Sequence, residues 1–305
     1  MEYLNHLQVF FGSLFSSEWQ WSYVGINMLA TLLLLIVFKY MIGIYSDVKM
    51  NEELAHKDNP AYGLITACSF LSFFLIMSAA STGEGVLSFA KEMGVVLGYG
   101  VAGMLMVLVS KVIFDKISLS KFCVREELSK RNMAVAIADG SNLVATSLIV
   151  FAYMSWVKSS SLTTISVVLF GWVLSQVLLS VLTWFRTAIF RAENGISLSE
   201  SLQKNNIAVA IRFAGYRIAI ALAPLITIGH YPYEDGWGFI LAFEIFLTTI
   251  LLAVIYLVGT FIAKKVIFNG VSFRSEINDQ QNTGMAYIEF AFVLGLVFLN
   301  YGLLK

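Results

Sequence analysis

Eight stretches of the chain are apolar for long enough to cross a lipid bilayer, and this constrains the fold more than any other feature. They run approximately over residues 22–45, 60–81, 93–114, 132–156, 162–185, 206–228, 237–263 and 283–304 of the 305. A bilayer core of about 30 Å takes roughly 20 apolar residues of helix. In lipid only helices and closed barrels satisfy their own backbone, and barrel strands need only about ten residues. The runs therefore predict an all-α membrane protein with about eight transmembrane helices. Charged residues make up 13% of the chain, about half of what a soluble domain carries. A soluble enzyme is excluded on that ground. The formal net charge of zero argues against a nucleic-acid partner and leaves the lipid bilayer as the expected one. The opening MEYLNHLQVFFGSLFSSEWQW has no basic leader and no cleavage site, so it reads as an interfacial segment rather than a removed signal peptide.

The connections alternate in character. Those near 46–59, 115–131, 186–205 and 264–282 are longer and charged, and those near 82–92, 157–161 and 229–236 are shorter. With helix-end residues included, fifteen Lys and Arg fall on the side of the charged connections. The other side has Lys91, Lys158 and Lys305, while Arg212 and Arg217 lie inside a span. Positive loops stay in the cytoplasm, so both termini are expected outside. Trp19, Trp21, Trp156, Tyr231, Tyr233 and Trp237 then gather at the outer interface, where aromatic belts form.

A fourfold repeat runs through this pattern. Each even-numbered helix opens on an asparagine: NPAYG from Asn59, NMAVA from Asn132, NIAVA from Asn206 and NTGMA from Asn282, spaced 73, 74 and 76 residues apart. Upstream lie EELAHKDN, EELSKRN, ESLQKNN and SEINDQQN. Asparagine caps a helix start by accepting from an unpaired backbone N–H. Pro60 suits the first helical position. The small residues two and four places after each Asn let a neighbouring helix approach. Cap plus packing is one reading of the four asparagines; a ring of amides around a central path is the other. The units share one orientation, so the repeats are parallel, in two four-helix halves at about 1–158 and 159–305.

The N-x-A-x-A helix starts, the paired-helix repeat and the stretch KNNIAVAIRFAGYRIAIALAP resemble a bacterial inner-membrane family of unknown function that includes YjfL. Its members have a four-helix domain, and this chain is similar to two in tandem. The resemblance implies a bacterial cytoplasmic membrane. It brings no activity, substrate or catalytic residue with it.

Apart from Lys39 and Lys111, counted with the helix ends, five ionisable residues fall inside the spans: Asp139, Arg212, Arg217, Glu244 and Glu289. A charge at mid-membrane costs about 2.5–3.5 kcal/mol on insertion scales, so such residues normally face the bundle interior in pairs. Asp139 and Glu289 each lie seven residues after a cap asparagine, and Arg212 lies six after, all roughly 9–11 Å inside the membrane face. Arg212 is thus expected to meet Asp139, Glu289 or both, and the deeper Arg217 to reach toward Glu244. Asp139, Asn142 and Thr146 share one helical face, as do Arg212 and Tyr216, and Pro224 stands further along the same helix as a candidate kink. Structural ion pairs holding the halves in register and a hydrated path or small anionic or zwitterionic ligand site both fit. Three acids against two bases also allow one protonated carboxyl.

Other motifs carry less. GYGVAG at 98–103 has dinucleotide-loop spacing and VLGYG at 96–100 looks like a channel filter. The first lacks a strand before it, and the second leaves too little helix to span afterwards. Gly94, Gly98 and Gly103 are better read as a packing surface. His6, His56 and His230 have no metal spacing, Cys68 and Cys123 no disulfide or zinc spacing. With no nucleotide, zinc-protease or hydrolase motif and loops too short for a catalytic domain, no enzyme, cofactor or metal is expected. Two functions stay open. One is a channel or transporter for a small ion or solute through the repeat interface. The other is a scaffold recruiting cytoplasmic partners in envelope maintenance through its charged loops, at Glu126, Glu127 and Lys130. Homo-oligomers fit either.

Overall fold

The computed structural model describes residues 18–46, 51–82, 89–117, 119, 121–157 and 162–304. All regular elements among them are helical, and eight are long and apolar enough to cross a membrane: α1 (Glu18–Ser46), α2 (Pro60–Ala80), α3 (Phe89–Ile117), α4 (Met133–Trp156), α5 (Leu162–Asn194), α6 (Ile207–Thr227), α7 (Gly238–Ile267) and α8 (Thr283–Leu303). The all-α, eight-span class is as expected. The odd helices overrun the apolar stretches: α3 begins at Phe89 and α5 continues to Asn194. The amino-terminal segment to residue 17, with His6, lies outside the described residues. So do Lys49, Lys158 and Lys305, the side chains of Trp19 and Trp21, and the expected boundary at 158/159.

Each charged connection is built the same way. A short helical element fills it: Glu52–His56, Val124–Ser129, Leu198–Gln203 or Ser275–Asp279. The chain then turns on one residue with left-handed backbone: Asp58 (φ 46°), Arg131 (62°), Asn205 (59°) or Gln281 (54°). These are the positive-φ residues other than glycine among the described residues. Asp and Asn tolerate this region; Arg and Gln adopt it only where the surroundings impose it. The next residue is the cap asparagine. Asn59 accepts from the N–H of Ala61 at 3.1 Å, Asn132 from Val135 at 3.1 Å, Asn206 from Val209 at 3.1 Å and Asn282 from Met285 at 3.2 Å. The cap reading of the four asparagines is therefore met directly.

The even helices form a row in which α2 packs on α4, α4 on α6 and α6 on α8, with the odd helices laid along it. In the middle of the row, 78% of the apolar span is buried in both α4 and α6, against 39% in α2 and 22% in α8. Lipid gives helices no hydrophobic reason to associate, so close backbone approach and hydrogen bonds must hold them. Ala134, Ala136, Ala208 and Ala210 are completely buried. A Cβ on Gly140 would lie 2.8 Å from Cys68 Sγ of α2, and one on Gly215 would lie 3.2 Å from Phe290 Cα of α8. Of the three α3 glycines read as a packing surface, Gly103 does pack, while Gly94 and Gly98 are a correction, with open space beside them. The close approaches come at Gly100, against Leu34 and Met77, and at Gly103, against Ile76 and Val150. At the opposite end, the Trp156 indole donates to the Tyr231 carbonyl and sits edge-on to Tyr233, 5.2 Å between centroids. Trp237 is exposed there.

The cap asparagines also stitch the row along its charged end. Asn59 donates its amide to Glu53 at 3.1 Å and to the Leu128 carbonyl of the second repeat at 3.0 Å. Asn132 donates to Glu127 at 3.0 Å and to the carbonyls of Leu202 and Gln203 of the third, both at 3.1 Å. Asn206 donates to Ile277 at 3.5 Å and Asn278 at 3.2 Å of the fourth. Glu53 is held below the usual carboxylate range by the hydrogen bond from Lys57, against burial, with Asn59 adding to it. Burial pushes Glu127 up, but hydrogen bonds from Lys130 and Asn132 outweigh it and leave it low. A depressed folded-state value stabilises above the ordinary carboxylate pKa of about 4.3 and is lost as pH falls through the folded one. Amide exchange in the loops at 52–59 and 126–132 is therefore expected to be flat from pH 8 to 5 and to rise below about pH 4, once corrected for intrinsic rates. Glu127→Gln should remove that rise in its own loop.

Candidate functional site

The charges inside the membrane span gather along the row, and the fourfold repeat decides where. Asp139 of α4 is completely buried and accepts from Lys111 Nζ of α3 at 2.5 Å. Lys111 also faces Asp115 at 3.6 Å. Glu289 of α8 stands at the equivalent position, completely buried, and accepts from Lys264 Nζ of α7 at 2.8 Å. In both cases an acid seven residues after the cap meets a lysine from the odd helix of its own repeat. Glu289 also accepts from the Tyr216 hydroxyl at 2.8 Å and forms an ion pair with Arg212 Nε at 3.3 Å. Arg186 of α5 lies 4.0 Å over the Tyr216 ring.

Arg212 thus meets Glu289 and not Asp139. The pairing of Arg217 with Glu244 does not form: Glu244 is exposed near the start of α7. Arg217 is buried in α6 and points toward α4 and α5 instead. It donates to Asn142 Oδ1 at 2.5 Å and to Thr183 Oγ1 at 2.9 Å, with its guanidinium 4.6 Å over the Phe114 ring. Among the described residues no carboxylate lies within ion-pair distance of it. The polar stripe on α4 is completely buried at Asp139, Asn142 and Thr146. Asp139 Oδ1, Asn142 Nδ2, Thr146 Oγ1 and Arg217 Nε have no hydrogen-bond partner among the described residues. Pro224 sits in the last turn of α6, which passes into a 3₁₀ turn at Ile228–His230.

By sequence the count is three acids against two bases. The structure removes Glu244 and adds Lys111, Arg186 and Lys264. Five cations now face Asp139, Glu289 and the half-buried Asp115. Lys111 reads from sequence as a helix-end residue of the charged side, and Arg186 and Lys264 fall just past their apolar stretches on odd helices that continue beyond them. A signal for them exists, since Lys111, Arg186 and Lys264 stand 21, 20 and 18 residues before their cap asparagines. Thr183 has no such signal.

Two cavities adjoin these charges. One of about 720 Å³ lies between α2, α3, α4 and the Val124–Ser129 element. Ile65, Met104 and Leu143 give it apolar walls; Lys111, Asp115, Asp139 and Arg125 line its charged part. The second, about 190 Å³, is lined by Arg186, Arg212, Tyr216 and Glu193. Of the loop residues considered for partner binding, Glu126 and Lys130 are exposed, while Glu127 is buried under its own bonds to Lys130 and Asn132.

One family model matches the chain in three overlapping windows, residues 18–154, 88–224 and 162–304. Each window spans two helix pairs, α1–α4, α3–α6 and α5–α8, and the middle one crosses residue 158. The helix pair found in the backbone is thus also the step by which the family pattern recurs. No curated protein and no solved structure matches the chain. With nearly its whole length covered, and with eight membrane-crossing helices built from one repeated pair, the chain belongs to the family described as Domain of Unknown Function (DUF350).

Proposed function

We propose that this protein is a channel or transporter that moves a small anion, or a zwitterion led by its negative group, through the interface between its repeats. It acts in a bacterial cytoplasmic membrane, with the charged loops inside and both termini outside, and it is not an enzyme. The observation that carries the reading is Arg217. A buried guanidinium inside the span is expensive, and such residues mark solute paths or pair with a carboxylate. Arg217 holds two neutral oxygens, and the cations around the row outnumber the carboxylates. A negative solute would complete that balance. The 720 Å³ cavity beside Lys111 and Asp139 supplies a chamber at the charged end.

The test is anion flux in proteoliposomes, with chloride, nitrate and acetate as probes. Arg217→Gln keeps hydrogen-bonding capacity toward Asn142 and Thr183 but removes the charge. Flux is expected to fall at least ~10-fold, which needs only about 1.4 kcal/mol of lost stabilisation, with thermal stability retained. Arg217→Lys should keep part of it. Equal flux in parent and Arg217→Gln, or none in the parent for any probe, would refute the reading.

The scaffold reading has its own support. The stitched caps hold four loop elements in a fixed series, presenting exposed Glu126 and Lys130. It predicts that Glu126→Lys with Lys130→Glu abolishes partner capture while Arg217→Gln leaves capture intact.

A further inference from the structure

We infer that copies of this chain join head to tail, α8 of one against α2 of the next, by a fourth use of the interface that the chain makes three times within itself. This does not rest on the transport reading. The internal interface has a fixed register. The residue nine places after the cap in one repeat meets the residue eight places after the cap in the next: Cys68 against Gly140, and Gly215 against Phe290. The middle pair at these positions, Ser141 and Ala214, is buried. At the ends of the row the same positions are Ala291 on α8 and Ala67 on α2, and both are exposed.

The rest of each face agrees. Gly284, Tyr287, Gly295 and Phe298 are exposed on α8, as are Leu71, Phe74 and Ser78 on α2. Their counterparts in the middle of the row, such as Ala134, Ala145 and Ser147, are completely buried. A Cβ on Gly295 meets nothing within 4 Å.

The stitching at the charged end is open in the same sense. Asn59, Asn132 and Asn206 are buried, and each donates to a carbonyl of the following repeat. Asn282 is half-exposed and donates to Glu276 of its own repeat at 2.9 Å. The carbonyls that would answer it are those of Leu54 and Ala55 in another copy. They stand five and four residues before Asn59, as Ile277 and Asn278 do before Asn282. Asn205 accepts from the Ala134 N–H of the preceding repeat at 3.0 Å. Asp58 holds the matching place, with the same left-handed backbone, for the Gly284 N–H of the preceding copy. Every copy keeps one membrane orientation, and such a heterologous contact builds rings or open rows.

Cysteine cross-linking tests this in the membrane. In a Cys68→Ala, Cys123→Ser background of unchanged thermal stability, one tagged chain carries Ala67→Cys and a second, differently tagged chain carries Ala291→Cys. Mild oxidation should give the mixed-tag dimer, because the internal register brings these positions within disulfide reach. Neither variant alone should dimerise, and one chain carrying both should give a ladder. Adding Gly295→Trp should abolish the ladder without altering thermal stability. Cross-linking of Ala291→Cys or Ala67→Cys with itself would overturn the proposal in favour of a two-fold dimer. A mixed yield no higher than that of the exposed control Val258→Cys would overturn it outright.

Discussion

Glu289→Gln should destabilise the protein more than any other single change proposed here, by about 3–5 kcal/mol, the usual cost of removing one partner from a buried pair. Glu289 is completely buried and answers Lys264, Arg212 and Tyr216 together, with Arg186 against the same tyrosine. Glutamine keeps the volume and one acceptor but leaves Lys264 and Arg212 without the carboxylate they share. The loss is expected as a fall in thermal stability in detergent. Asp139→Asn should cost less, because Lys111 keeps Asp115 within 3.6 Å. Equal losses at the two sites would mean that the equivalent acids do not differ in surroundings as described.

Asn132→Ala should cost about 2–4 kcal/mol. The cap alone accounts for about 1. The rest comes from taking the amide donor away from Glu127 Oε2 and the Gln203 carbonyl, at roughly 1–3 for buried groups, while the Leu202 carbonyl keeps the Asn205 N–H. Asn282→Ala, measured on detergent-solubilised monomer, should cost only about 1, since Asn282 is half-exposed and donates its amide to Glu276 of its own repeat rather than to a carbonyl of another. The contrast separates capping from stitching. If both substitutions cost the same, the inter-repeat hydrogen bonds contribute nothing to stability.

The sequence announced its spans because bilayer thickness fixes a length that apolar runs either reach or miss. It announced its repeat because asparagine at a helix start has a specific chemistry, and four copies fell in phase. It could not show which charge meets which. Residue spacing gives depth along a helix axis, so Arg212 was placed level with both Asp139 and Glu289. Choosing between them needs the packing order of the helices. A buried cation is expected to find a carboxylate, which points Arg217 toward Glu244, but the structure gives it Asn142 and Thr183 instead. Lys264 escapes a reading by apolar runs because an α-helix continues past its run wherever lysine stems can line the bundle, and Lys111 because a lysine near the end of a run reads as part of the charged connection. The left-handed turn before each cap was invisible, since Asp58, Arg131, Asn205 and Gln281 share no side-chain chemistry. Gly94 and Gly98 looked like a packing surface because spacing alone does not tell which face of α3 meets a neighbour.

The most direct test of the central claim, four helix pairs repeated in one orientation, is the side of the membrane from which each connection can be labelled. An impermeant maleimide is applied to right-side-out and inverted vesicles. Native Cys123, and Lys57→Cys, Lys204→Cys and Gln280→Cys in a Cys123→Ser background, should all label from the inner face. Thr82→Cys and Glu234→Cys in that background should label from the outer face. Charged connections divided between the two faces would contradict a parallel row, and the shared register of caps, acids and lysines would fall with it.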